Sequence, residues 1–338
     1  MQRTAGPAQH AVDFYTAQSA FSDPGDFAGR YVGLPKEVGQ LAATVRHLMI
    51  HRMEEELFGC THPPGRLHHD AESRYLDEIL RLLLARDAAP LTQPREPGDR
   101  FVGVCRDFAL LHCSFLRDAG VPARLRLGFA DYFGSDGFRT DHTVVEYWDA
   151  ARGRWLLADA ELTDPRFAAT RPEVDFDPMD VPRDRFLVSG EAWRRARAGE
   201  ADPRTFGVRL PGGELAGEWF MANVVRLDLS ALNKVEPLPW DVWGESMEVL
   251  SDDAMTDALR ALCDRAAAVT GDTVPFDAAR TLFTQEATLR TPPKVLSLTT
   301  YNGPVEVVLR RARASGPQGL SAAAPRGGTA GHDPERIV

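Results

Sequence analysis

The sequence predicts a mixed fold of helices and strands. Three observations carry this: apolar residues at helical spacing up to residue 120, an alternating run followed by a hairpin pattern between residues 123 and 159, and renewed helical stripes beyond residue 190. Residues 35–58 open on Pro35, align Val38, Leu41, Val45, Leu48, Met49 and Met53, and stop at Gly59, so a single helix is expected there. Thr61 to His69 holds Pro63, Pro64 and Gly65 and reads as a loop. Asp70 is then placed to cap a second helix that lines up Tyr75, Leu76, Ile79 and Leu83. Pro90, Pro94 and Pro97 break the chain before Gly98.

From Val104 to Ala119 the positions Phe108, Leu111, Phe115 and Leu116 fit a third helix, closed by Gly120 and Pro122, with Cys105 in its first turn. Ala123 to Phe129 alternates Arg124 and Arg126 against Leu125, Leu127 and Phe129, the pattern of a strand with one wet face. Thr143 to Trp148 and Arg154 to Asp159 are β-rich and flank a turn-prone link, so they should form a hairpin. Residues 163–185, with four prolines, read as an irregular excursion. Glu191 to Ala198 reads as a short helix. Ser251 is a candidate cap for a helix bearing Met255, Leu259, Leu262 and Ala266, and a last helix is expected over Phe276 to Ala287. The organisation expected is a helical part over 1–97, a core over 98–190, a C-terminal elaboration over 191–311 and a disordered tail over 312–338.

The chain has 338 residues, 43% of them hydrophobic, and a net charge of -10. That charge argues against a nucleic-acid partner, because phosphates need a basic face. The first twenty residues contain no unbroken apolar stretch and no later run approaches a membrane span, so a cytoplasmic protein with no membrane partner is expected. The four cysteines, Cys60, Cys105, Cys113 and Cys263, lack close pairing and are expected to be free thiols.

A thiol attacks a carbonyl as thiolate, and the unpaired N–H groups at a helix start favour that anion. Cys105 occupies such a start, Gly103 just before it allows close approach of backbone or substrate, and Arg106 adds positive charge. The Cys105 amide can contribute to an oxyanion hole. Against this stands the plain reading of a small buried cysteine packing in a helix. The hairpin supplies the partner groups. If its loop runs from Asp149 to Arg152, His142 falls directly opposite Asp159 on the same face, close enough for a carboxylate to orient an imidazole. A loop one residue longer would send Asp159 to the other face.

These residues resemble the transglutaminase-like superfamily of papain-like cysteine enzymes, over about residues 98–165. The segment from Gly103 to Ala109 is similar to the family's nucleophile segment, and Leu116 to Arg124 to the helix end and strand that follow it. His142 with Val144 and Glu146 matches the histidine strand, and Trp155 with Asp159 the strand bearing the acid. Thr143, Val144 and Ala160 depart from the family's usual neighbours of the histidine and aspartate. The resemblance implies a catalytic triad of Cys105, His142 and Asp159, substrate contacts from Gly103, Arg106 and Trp155, no cofactor, and an α+β core in which the nucleophile helix packs on an antiparallel sheet. Extra N-terminal helices and a mixed C-terminal region then surround that core.

The activity implied is acyl transfer through a thioester, with amidase- or peptidase-type hydrolysis preferred. An amine acceptor would instead make the protein an amide synthase. The substrate is then a small-molecule or peptide acyl compound. Two other classes compete. His47 and His51, four apart on the expected helix with Glu55 one turn on, suggest a metal face, although solvated helix-end histidines explain them as well. A silent binding module would use Trp219, Phe220, Trp240 and Trp243 as its contact surface, although aromatics at that density usually complete a core.

Overall fold

A computed structural model describes residues 6–310 apart from 135, 172, 211, 245–248, 300 and 301; the tail expected over 312–338 lies outside the described residues. The N-terminal part consists of α1 (Gln9–Thr16), α2 (Val38–Leu48), β1 (Met49–His51), α3 (Glu55–Phe58), α4 (Pro64–Ala71) and α5 (Leu76–Arg86). There follow β2 (Phe101–Gly103), α6 (Cys105–Asp118), β3 (Ala123–Ala130), β4 (Arg139–Asp149), β5 (Arg154–Ala158), α7 (Pro165–Thr170) and β6 (Phe186–Val188). The remainder is α8 (Ser189–Arg197), β7 (Phe206–Leu210), β8 (Gly213–Ala216), α9 (Glu218–Leu232), β9 (Asp241–Val242), α10 (Asp257–Ala267), α11 (Phe276–Gln285), β10 (Lys294–Thr299) and β11 (Gly303–Val308).

The fold is α+β. Six strands form one sheet in the order β6-β3-β4-β7-β8, with β5 also on β4. Its pairs are antiparallel except β4 with β7. Helix α6 packs on β3 and β4, and α9 also packs on β3. Residues 49–51 and 101–103 make a separate two-stranded parallel pair, and β9 to β11 a three-stranded sheet.

The single helix expected over 35–58 is broken. Its apolar stripe ends at Leu48, and Met49 to His51 become extended because they pair with Phe101 to Gly103, a tertiary gain that outweighs helical spacing. The loop expected over 61–69 contains α4, started by Pro64 at its first position. Asp70 caps nothing: it is fully buried, holds the Arg86 guanidinium and accepts a hydrogen bond from the Val102 amide at 2.9 Å. Ser251 opens a short 3-10 turn, and Thr256 caps α10 instead, accepting from Leu259 N–H at 3.1 Å.

The wet face expected on β3 is dry. Arg124 and Arg126 are buried, and Glu146 accepts from both, at 2.8 Å and 3.0 Å. Arg126 also donates to Asp228 of α9, whose carboxylate takes in addition the Leu127 amide at 2.8 Å and the Ser189 hydroxyl at 2.8 Å. Sequence alternation could not reveal this, because the acids that neutralise the arginines lie 20 and 102 residues away. Replacing Asp228 by alanine leaves a buried guanidinium short of a partner and should cost about 3–5 kcal/mol in chemical denaturation. A loss below about 1 kcal/mol would show the network to be dispensable.

Candidate active site

Cys105 is the first residue of α6, a helix that starts here because the Asp107 carboxylate folds back to accept the Val104 amide at 3.0 Å. Asp107 therefore fixes the helix start, and burial pushes its carboxyl up from the usual range. A Cβ at Gly103 would lie 3.0 Å from Asp107 Oδ2, so a larger residue there would crowd the carboxylate that starts the helix. The segment that carries Cys105 is thus positioned by local hydrogen bonding and by the pairing of β2 with β1 just before it.

His142 lies on β4 opposite Gly128. The hairpin pairs Trp148 with Trp155 and Asp149 with Arg154, two residues out of step with the expected register. The ladder ends at Ala158, so Asp159 stands just beyond β5 rather than directly opposite His142. A shift of two keeps the same face, and the pair meets diagonally. His142 Nε2 lies 2.7 Å from Asp159 Oδ2, with the two residues 4% and 3% exposed. Asp159 also accepts from Tyr132 Oη at 3.0 Å and from the Glu161 amide at 3.0 Å.

With Nε2 engaged by Asp159, the other ring nitrogen is left for Cys105, whose sulfur is near enough to help raise the histidine's pKa. Burial alone would favour the neutral imidazole. The Asp159 charge and hydrogen bond, together with the Cys105 sulfur, outweigh it and hold His142 well above the ordinary histidine range. Rings enclose the imidazole: Phe133 at 4.8 Å, Tyr132 at 6.0 Å and Phe186 at 6.3 Å.

Cys105, His142 and Glu161 open on a cleft of about 580 Å³ that His51, Phe133, Phe167, Trp219, Phe220 and Trp240 also line. None of the expected substrate contacts lines it. Gly103 packs against Asp107, while Arg106 is buried and donates to Asp107 and to the carbonyls of Arg74 and Glu236. Trp155 lies 4.0 Å beneath the Arg124 guanidinium, beside Tyr15 and Trp148. Of the aromatics considered as a contact surface, Trp219, Phe220 and Trp240 line the cleft. Trp243 is buried against Arg226.

The metal face dissolves with the helix. His47 ends α2, His51 is in a strand, and Glu55 accepts from the His62 amide at 2.6 Å. Among the described residues no three His, Cys, Asp or Glu converge as metal ligands, and no helix is long and apolar enough to cross a membrane. All four cysteines are free thiols.

Tyr132 and Glu161 had no signal at the level of letters, and His51 had one only for a metal face. Tyr132 orients Asp159 from a loop beyond β3. Glu161 is 4% exposed, and burial, then repulsion from Glu54, pushes its carboxyl up to about 8. His51 Nδ1 accepts from the Met53 amide at 3.2 Å, which leaves the proton on Nε2. Burial lowers its pKa to about 3, so the ring is neutral. Its backbone N–H is tied to Glu54 at 3.0 Å, and Glu54 is held by Arg46, so the imidazole is fixed in place.

No curated protein matches the chain. A solved structure of a Cytophaga hutchinsonii protein, provisionally named a cysteine protease, aligns with 17% identity and a TM-score of 0.27. The alignment covers 47% of this chain and 48% of that one, so the chain spans about half the length of the structure it matches. Residues 87–160, the segment that carries Cys105, His142 and Asp159, match the core model of the transglutaminase-like superfamily.

Proposed function

We propose that the protein is a cysteine-dependent acyl-transfer enzyme that works through an acyl-thioester on an amide or related acyl substrate, with water as acceptor, as an amidase or peptidase does. The observation that carries this reading is the His142–Asp159 pair, hydrogen-bonded at 2.7 Å, together with the helix-start Cys105 at the wall of the same open cleft. The superfamily match supports a cysteine-dependent enzyme in general terms.

In the proposed cycle His142 takes the Cys105 proton, the sulfur bonds to the carbonyl carbon, and the carbonyl π electrons move to oxygen. As the first residue of a helix, Cys105 has an N–H without an intrahelical acceptor, available to that oxyanion. The Nε2–H of His51 is the second donor in this reading. Collapse breaks the C–N bond, and the imidazolium returns its proton to the departing amine. Water, deprotonated by His142, then attacks the thioester and frees the acid and the thiol.

A second reading has an amine in place of water, favoured by the mostly apolar lining of the cleft. Intact-mass analysis of wild type and Cys105→Ser with amides and thioesters, with and without amines, tests both. A mass gain on wild type alone supports the nucleophile, and free acid or new amide among the products selects the acceptor. No adduct with any donor would leave the binding-module reading standing. His51→Ala should lower kcat about 100- to 1,000-fold while alkylation of Cys105 by iodoacetamide proceeds at the wild-type rate. An equal fall in alkylation would mean that His51 serves the nucleophile rather than the oxyanion.

A further inference from the structure

One carboxyl of the active site lacks what its neighbours have. Glu54 accepts three hydrogen bonds, two from Arg46 and one from the His51 amide, and Asp159 accepts three, from His142, Tyr132 and the Glu161 amide. The Glu161 side chain takes none among the described residues, although it is 4% exposed and lines the cleft with Cys105 and His142. Its Oε2 is sealed from solvent and its Oε1 is not, so Oε1 is the oxygen open to a ligand. The backbone N–H of Glu161 on Asp159 fixes the residue beside the triad.

A carboxylate is stable away from water only when donors or cations hold it. Around Glu161 the cations are already engaged: Arg46 of α2 with Glu54, His142 of β4 with Asp159, and Arg166 of α7 with Asp164. His112 of α6 is neutral, since burial lowers it to about 4. Burial and the charges of Glu54 and Asp159 outweigh the pull of His142 and Arg46 and keep the proton on Glu161 up to about pH 8. At neutral pH the side chain is therefore an uncharged acid, with one O–H and no acceptor for it among the described residues. Buried polar groups are rarely left unpaired, and a missing ligand is a physical reason for this one.

We infer that Glu161 determines specificity by donating its O–H to a second carbonyl oxygen of the substrate, which is then peptide-like, with an amide or ester carbonyl beside the one attacked. The inference rests on the acyl-transfer reading above and names its substrate class. In that reading Cys105 and His51 serve the attacked carbonyl, which leaves Glu161 for another oxygen. An uncharged donor in a mostly apolar lining suits an uncharged acceptor, and a simple alkanoyl group offers none. A cationic amine would instead be the ligand of the ionised form, and the test separates the two.

The test compares acylation of full-length wild type, Glu161→Gln and Glu161→Leu by two probes. The N-acetylcysteamine thioester of N-acetylglycine has a further carbonyl on each side of the reacting one, and S-phenyl thiopentanoate has none. At neutral pH Glu161→Leu should lower kcat/KM on the first probe about tenfold, while Glu161→Gln, whose NH₂ can donate from the same place, should stay within about threefold of wild type. Neither variant should change the rate on the second probe or the alkylation of Cys105 by iodoacetamide, which a folding defect would alter. On the first probe the ratio of wild type to Glu161→Gln should fall as pH rises through about 8, where wild type loses its donor. Asp141, raised by burial to about 6, is already ionised there in both proteins. Glu161→Gln as slow as Glu161→Leu, no loss in Glu161→Leu, equal losses on both probes, or a ratio flat in pH each overturns the inference alone. Absence of an adduct on wild type with either probe removes the acyl-transfer reading and the inference with it.

Discussion

His142→Ala should lower turnover by about 10,000-fold or more, because both the proton acceptor for Cys105 and the acid for the leaving amine disappear. The protein should still fold, at a cost of about 1–3 kcal/mol, since Asp159 keeps Tyr132 Oη and the Glu161 amide as partners. The pH dependence of stability supplies an independent reading. His142 is held above its ordinary value in the folded state, so its contribution is fully present below the unfolded pKa of about 6.5 and is lost as pH rises through the folded one. The melting temperature of wild type minus that of His142→Ala should therefore shrink from mildly acidic toward alkaline pH. A variant with wild-type turnover, or a difference that grows with pH, would remove His142 from the role of base.

Asp159→Asn should cost about 10,000-fold in kcat with little change in KM, the size of the effect when the orienting carboxylate of a serine triad becomes an amide. The reason is geometric. Asp159 Oδ2 accepts from both His142 and Tyr132, and an amide that offers one oxygen and one NH₂ cannot serve both donors and the Glu161 N–H. The imidazole would then turn or take the wrong tautomer. Measured single-turnover acylation should fall with kcat, because orientation of the base acts before the thioester forms. A fall confined to deacylation would instead assign Asp159 to the water step.

The elements that the letters reveal best are those whose contacts are local. Helix α6 is legible because Phe108, Leu111, Phe115 and Leu116 share a stripe and Gly120 ends it, and the hairpin of β4 and β5 because two β-rich runs flank a turn. The helix expected over 35–58 fails where a partner strand fifty residues away captures Met49 to His51. The hairpin survives a wrong register only because the error is an even number of residues, which leaves side chains on the same face. Trp155 and Arg106 carry chemistry that suits a cleft, yet both are drawn elsewhere, Trp155 to Arg124 and Arg106 to two carbonyls.

The order of a helix-start cysteine, a strand histidine and a strand-end acid is legible in the letters, because each rests on periodicity and capping within a few residues. Folding was needed to bring Tyr132 onto Asp159, to make His51 neutral with Nδ1 taken by the Met53 amide, and to set Trp219, Phe220 and Trp240 around the same cleft as Cys105. Those relations join residues far apart in the chain, and burial sets their charge and pairing. Neither quantity is written in local spacing.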